Sequence, residues 1–441
     1  MSDFSPLEVF DRRESEVRGY IRSFPVVFDR ASGSTLVTAD GDEYLDFFAG
    51  AGVLNYGHNN PLFTKALVEY IEHGGILHGL DMATSAKRAF IEAFERYVLE
   101  PRGYDYKIQF TGPTGANAVE AALKVARQAT GRTNVVAFTN GFHGLSLGAV
   151  AVTGNKKYRD AAGTPLGDVT RLPFEGYLGD NLDTLDLFEK MLDDTGSGLD
   201  LPAAVIVEAI QGEGGINVAS PEWLRRLRTI TEERGILLIL DEIQAGIGRS
   251  GSFFAFEESG IVPDLITVSK SISASGLPMS LVLLRPAVDV WKPGAHTGTF
   301  RGNNLAFVTA RVALEEYWAD DAFMTTVAER SAELRAGLEA IAADYPQLAF
   351  TVRGRGLMYG IVSLGDRDLP SRISAEAFQR GLVIETAGAF EEVLKFLPAL
   401  TLTSEELQTG LGIVRASLDA VLAGDDSEAE HAVEDHVASH A

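Results

Sequence analysis

Short, unbroken apolar runs recur through the middle of the chain, and several end abruptly in charge. NVVAF (134–138), AAVIVEA (203–209), ILLILD (236–241) and LITVS (265–269) are rich in branched residues and bounded by turn formers. Runs of this length predict strands covered on both faces, as in a parallel sheet. Amphipathic stretches alternate with them between about residues 60 and 315, which predicts an α/β domain with a mainly parallel sheet. One intervening helix is marked at both ends. Ser220 suits the N-cap, Pro221 the first helical position, and Gly235 follows the last turn. Trp223, Leu227 and Ile230 then share one face.

Upstream, TLVTADGDEYLDFFAG alternates around Asp40-Gly41 and predicts a hairpin after an irregular opening. After residue 315 the pattern becomes helical, with a strand pair suggested by Phe350–Val352 and Leu357–Val362. Four regions follow: an N-terminal segment (1–59) joining a small domain, a large α/β domain (60–315), a C-terminal α+β small domain (316–424), and an acidic tail (425–441). That tail, GDDSEAEHAVEDHVASHA with its neighbours, has little to bury and reads as disordered. Its His431, His436 and His440 read as solvated rather than as a metal site, and no metal is expected elsewhere.

Composition narrows the function classes. At 441 residues the chain can bury a large core. Its net charge of −24 argues against nucleic acid, which is bound by neutralising phosphates with Lys and Arg. The acidic, lysine-poor surface fits either simple solubility or a saline habitat, where salt screens clustered carboxylates. With no cysteine, disulfides and thiolate chemistry are excluded. No apolar run approaches a membrane span, and MSDFSPLEVFDRRESEVRGY has no signal-peptide core, so a cytoplasmic protein is expected.

Ligands of parallel sheets bind beyond the carboxyl ends of the strands. ILLILDE and LITVSKS would place Asp241 and Lys270 at that edge. An enzyme using pyridoxal 5'-phosphate (PLP) needs such a pair, a lysine for the Schiff base and an acid for the pyridine nitrogen. TGPTGANAVEAALKVARQAT starts a helix with Val119, Ala122, Leu123 and Ala126 on one stripe. Thr114, Gly115 and Ala116 at its N-terminus would make a phosphate seat, although many helices begin this way without a ligand. No Gly-Lys-Ser/Thr follows, so a nucleotide P-loop is not indicated. Phe142 and His143 follow the strand at 134–138, where an aromatic ring could stack on a flat cofactor or simply pack in the core. In VEAIQGEGGINV, Glu208 and Glu213 lie on a Gly-rich loop after another strand, facing either the crevice or water.

Together, TGANAVEAALKVAR, FHG, VEAIQGEGG, ILDEIQAGIGRSG, VSKSIS and HTGTFRGNN resemble, in order, the class III (ω-) aminotransferases, PLP enzymes of fold type I. The resemblance spans most of the chain. Its opening, ESEVRGYIRSFPVVFDRASGSTL…YLDFFAGAGVLNYGHNNP, is most similar to the diaminobutyrate-forming branch. That branch makes L-2,4-diaminobutyrate from aspartate 4-semialdehyde, with glutamate as donor, in ectoine biosynthesis.

The resemblance implies that Lys270 carries the Schiff base and shuttles the proton, and that Asp241 pairs with the pyridine nitrogen. Gln244 would bond the ring oxygen, Phe142 would stack on the ring beside His143, and Thr114, Gly115 and Ala116 would seat the phosphate. Thr299 would reach the phosphate of a neighbouring subunit, implying at least a homodimer. Glu208 and Glu213 would line the substrate site. Three departures concern carboxylate recognition: Leu145 where relatives often have Arg, Lys395 in VLKFLP where an Arg is common, and Arg301 in TFRGN where a small residue is usual. Lysine keeps the charge but loses the bidentate fork. Arg301 reads either as compensating in carboxylate binding or as a structural salt bridge, and Lys156, Lys157 and Arg159 are further candidates. Other ω-amino acid transaminases, of 4-aminobutyrate or ornithine type, remain open, as does a non-catalytic PLP-binding regulator.

Overall fold

A computed structural model describes residues 6–179 and 181–438, with side chains through residue 424. The expected tail therefore lies outside the described side chains. The last helix, Ser404–Ala438, carries the backbone into that region. At the other end, two short helices, Glu8–Arg13 and Tyr20–Ser23, occupy the opening that the sequence suggested was irregular.

Seven strands form the central sheet. In spatial order they are Lys107–Phe110, Leu281–Leu284, Leu265–Val268, Leu237–Asp241, Ala204–Val207, Val135–Phe138 and Val169–Leu172. Leu281–Leu284 runs antiparallel to both neighbours, and the other pairings are parallel. Apolar runs become strands here because both faces are covered. Ala137, Ile206 and Ile239 pack on one side with Val119, Ala122, Leu123 and Ala126 of the helix Gly115–Thr130. Phe138, Val205 and Leu240 point the other way, toward Trp223, Leu227 and Ile230 of the helix Pro221–Glu233. Ser220 accepts a hydrogen bond from the Trp223 N–H at 3.1 Å, so the predicted cap is present.

The predicted hairpin also forms. Thr35–Thr38 pairs antiparallel with Glu43–Asp46, and Gly41 takes the positive φ (+98°) that the turn requires. Glu43–Asp46 then pairs in parallel with Leu382–Val383, so one small sheet is built from both ends of the sequence. A further antiparallel sheet contains the expected pair, observed as Thr351–Arg355 with Met358–Val362, next to Val393–Phe396 and Glu385–Ala387. Its core includes Leu338 and Ile341 of the helix Ala322–Asp344. Among the described residues, no helix is long and apolar enough to cross a membrane.

Candidate active site

Carboxyl ends of adjacent parallel strands deliver the reactive groups to one cavity of about 160 Å³, lined among others by Gly115, Ala116, Phe142, Glu208, Gln244 and Lys270. Asp241 ends its strand opposite Thr267 of the next. The Thr267 hydroxyl donates to Asp241 Oδ1 at 3.0 Å, and the Ile243 N–H donates to the same oxygen at 3.1 Å. His143 Nδ1 lies 2.7 Å from Asp241 Oδ2. Burial opposes protonation of His143, but the Asp241 hydrogen bond and charge hold its pKa above the ordinary value. The Asp241 carboxyl group is thus held in its buried position by three protein partners. Thr267 was not singled out from the sequence; a hydroxyl set between Ile266 and Val268 was its only signal.

Lys270 follows a strand end with φ +51°, a region few non-glycine residues adopt. Its Nζ donates to the Ala51 carbonyl at 2.7 Å. Burial lowers the amine's pKa, and the positive charge of Lys395 adds to this, while Glu213 opposes it.

Glu208 accepts from the Phe142 N–H at 2.9 Å, which ties two strand-end loops together. Burial raises its pKa to about 7. Glu213 behaves oppositely. Burial works against its ionisation, yet Lys395 and Lys270 bring its pKa down to about 2. Its Oε1 accepts from Lys395 Nζ at 2.7 Å and from Gln244 Nε2 at 2.9 Å. Gly214 next to it has no room for a side chain, because a Cβ there would stand 2.2 Å from the Asn140 carbonyl oxygen.

Lys395 is wholly buried between Glu213 and a carboxylate not anticipated from sequence, Glu385, 2.8 Å away. Glu385 and Lys395 are cross-strand partners, which explains the contact. Lys395 does not line the cavity.

The remaining candidates are dispersed. Thr114 is exposed, and its N–H and hydroxyl both donate to Asn117 Oδ1 at the helix start. Gly115 and Ala116 line the cavity, where the first N–H groups of a helix lack intrahelical partners. Thr299 is exposed and outside the cavity, its carbonyl accepting from His78 at 2.7 Å. Arg301 serves the backbone: it donates to the carbonyls of Phe110 and His296 and lines a different depression. Leu145 is exposed.

The cavity suits PLP. It offers an amine, a fixed buried carboxyl group and a helix N-terminus on its walls. The Gln244 Oε1 atom is buried without a protein partner, so the site is not polar-complete by itself.

This arrangement of amine, acid and helix terminus on a seven-stranded sheet is that of a PLP-dependent transaminase, and the chain belongs to the class III aminotransferase family, whose model matches residues 18–418. Among its relatives, the diaminobutyrate–2-oxoglutarate transaminase of Bordetella parapertussis is 57% identical over 424 residues, covering 96% of this chain and 98% of that one. The enzyme of the same name from Vibrio cholerae is 56% identical and covers 93% and 100%. Of solved structures, the ornithine aminotransferase of Toxoplasma gondii superposes with a TM-score of 0.81 at 28% identity, covering 95% of each chain. The N-acetylornithine aminotransferase of Stenotrophomonas maltophilia gives 0.74 at 30%, covering 95% and 100%.

Proposed function

We propose that the chain transfers the amino group of L-glutamate to the terminal aldehyde of L-aspartate 4-semialdehyde, yielding 2-oxoglutarate and L-2,4-diaminobutyrate. The main support is identity of 56–57% over nearly the full length to enzymes named for diaminobutyrate and 2-oxoglutarate. The site geometry is consistent with both half-reactions occurring in turn at one amine.

PLP, when bound, supplies an electron sink for the carbon that loses its proton. Lys270 and Asp241 would anchor it, Phe142 would cover its face beside His143, and Gln244 would meet its ring oxygen. Gly115 and Ala116, with Thr114, would seat its phosphate. Lys270 Nζ, whose pKa burial lowers, moves the proton between carbon centres. His143 holds the Asp241 carboxyl group in place. Glu208 and Glu213 line the substrate side, and Lys395 keeps Glu213 ionised.

A homodimer is part of this reading, with Thr299 completing the neighbouring subunit's phosphate site. Exposed Ile76, Leu77, Met82 and Phe300 support it, because these apolar side chains surround the paired segments at His78 and Asn303.

The test is to load the enzyme with PLP and glutamate and offer aspartate 4-semialdehyde, 4-oxobutanoate and glutamate 5-semialdehyde in parallel. Preferential turnover of the first, with diaminobutyrate and 2-oxoglutarate formed in equal amounts, is expected. Comparable turnover of all three would remove the substrate assignment.

A further inference from the structure

A second cavity of about 110 Å³ adjoins the first and shares Phe142 and Glu213 with it. A substrate whose reacting carbon lies at Lys270 would extend its far end into this space. Among the described residues, Lys157 is the lysine or arginine lining it. The other candidate cations are engaged elsewhere. Lys395 sits between two carboxylates, Arg301 holds backbone carbonyls, Lys156 pairs with Asp160, and Arg159 donates to the Gly154 carbonyl at 3.1 Å.

Opposite Lys157, across 3.8 Å, stands Glu391 Oε1. Glu391 has φ +62°, an uncommon conformation for a glutamate. Its loop is tethered by the Gly388 N–H, which donates to the Glu213 carbonyl at 3.0 Å. The pair is longer than a charge-assisted hydrogen bond, and its side chains are 73% and 59% exposed. Such a pair is weakly held, so a ligand can insert between its members. Tyr158 lines the same space, and its pKa is raised by burial and by Glu213 and Glu391.

We propose that Lys157 and Glu391 together read the zwitterionic end of the aldehyde substrate, Lys157 Nζ taking its α-carboxylate and Glu391 its α-ammonium. This assignment rests on the acceptor proposed above. It gives Glu391 the task of discrimination, because 4-oxobutanoate has the same carbon chain and carboxylate but carries hydrogen in place of the α-ammonium. Bound there, it would leave the Glu391 charge without a partner.

Steady-state kinetics of the PLP-loaded enzyme with both acceptors tests the assignment. Glu391→Gln should lower kcat/KM for aspartate 4-semialdehyde about 5-fold, as for loss of one largely exposed charge contact. Its effect on 4-oxobutanoate should be much smaller, so the preference collapses. Lys157→Gln should lower kcat/KM for both acceptors by similar factors, mainly through KM. The ratio between acceptors is independent of the folded fraction, so a folding defect cannot imitate the Glu391 result. Equal effects of Glu391→Gln on the two acceptors, or an unchanged KM for both in Lys157→Gln, would overturn the pair's role while leaving the reaction assignment standing. No diaminobutyrate from the unsubstituted enzyme would overturn the acceptor assignment and the pair's role with it.

Discussion

At Lys270, a left-handed backbone and a buried amine coincide on one side chain, next to a carboxylate that three neighbours hold in place. Lys270→Ala should abolish steady-state transamination while leaving the far-UV circular dichroism unchanged; measurable turnover at the wild-type KM would contradict its role. Its neighbour in sequence to Asp241 carries a different consequence. Glu242 is fully buried, accepts from the Ala255 N–H at 2.7 Å, and has its pKa pushed from 4.5 to about 8 by burial. The folded protein keeps a proton there that the unfolded chain has already released. Its stabilising effect is therefore complete below about pH 4.5 and is lost as pH rises through about 8. Melting temperatures between pH 5 and 8 should decline less steeply in Glu242→Gln than in the wild type, and parallel curves would refute this. Lys270 and Asp241 were legible because each interrupts an apolar run with a charge. Glu385 and the Ala51 carbonyl were not, since only strand pairing and a distant turn bring them to the site.

Between residue and fold stand the loops that leave the strand ends. The loop bearing Glu213 packs so closely on the one bearing Phe142 that a methyl at Gly214 would meet the Asn140 carbonyl oxygen. Because that obstacle is backbone, it cannot swing aside. Gly214→Ala should cost about 1–3 kcal/mol, the usual range for overpacking, and should lower kcat/KM for glutamate as Glu213 moves. A urea midpoint equal to the wild type would show that the loops yield without cost. Four of the five inner strands were read from sequence because they are apolar on both faces, while the equally apolar Leu281–Leu284 was passed over. Lys107–Phe110 and Val169–Leu172 lie at the two edges of the sheet, and their partial exposure admits Lys107, Gln109, Thr170 and Arg171. Four residues of mixed polarity carry too little periodicity to be separated from loop.

Across the whole molecule, Arg249 joins three distant stretches of chain. It is fully buried and donates to the carbonyls of Leu357 and Pro398 and to Asn55 Oδ1. Arg249→Met would leave those acceptors dry and unpaired, at a cost on the order of a few kcal/mol. Chemical denaturation should show an earlier transition, and an unshifted midpoint would mean that water replaces the guanidinium without penalty. Nothing in the local sequence of GIGRSG marks this arginine, because its partners lie far away in the chain. The small sheet shared by Glu43–Asp46 and Leu382–Val383 has a related consequence in time rather than in energy. During synthesis at roughly 5–20 residues per second, the early hairpin emerges on the order of tens of seconds before the strand that covers its edge. Throughout that interval a row of open backbone groups can recruit another nascent chain as readily as its own. The yield of soluble enzyme should therefore depend on how quickly the ribosome reaches the far end of the message, and on chaperones that shield the hairpin until it does.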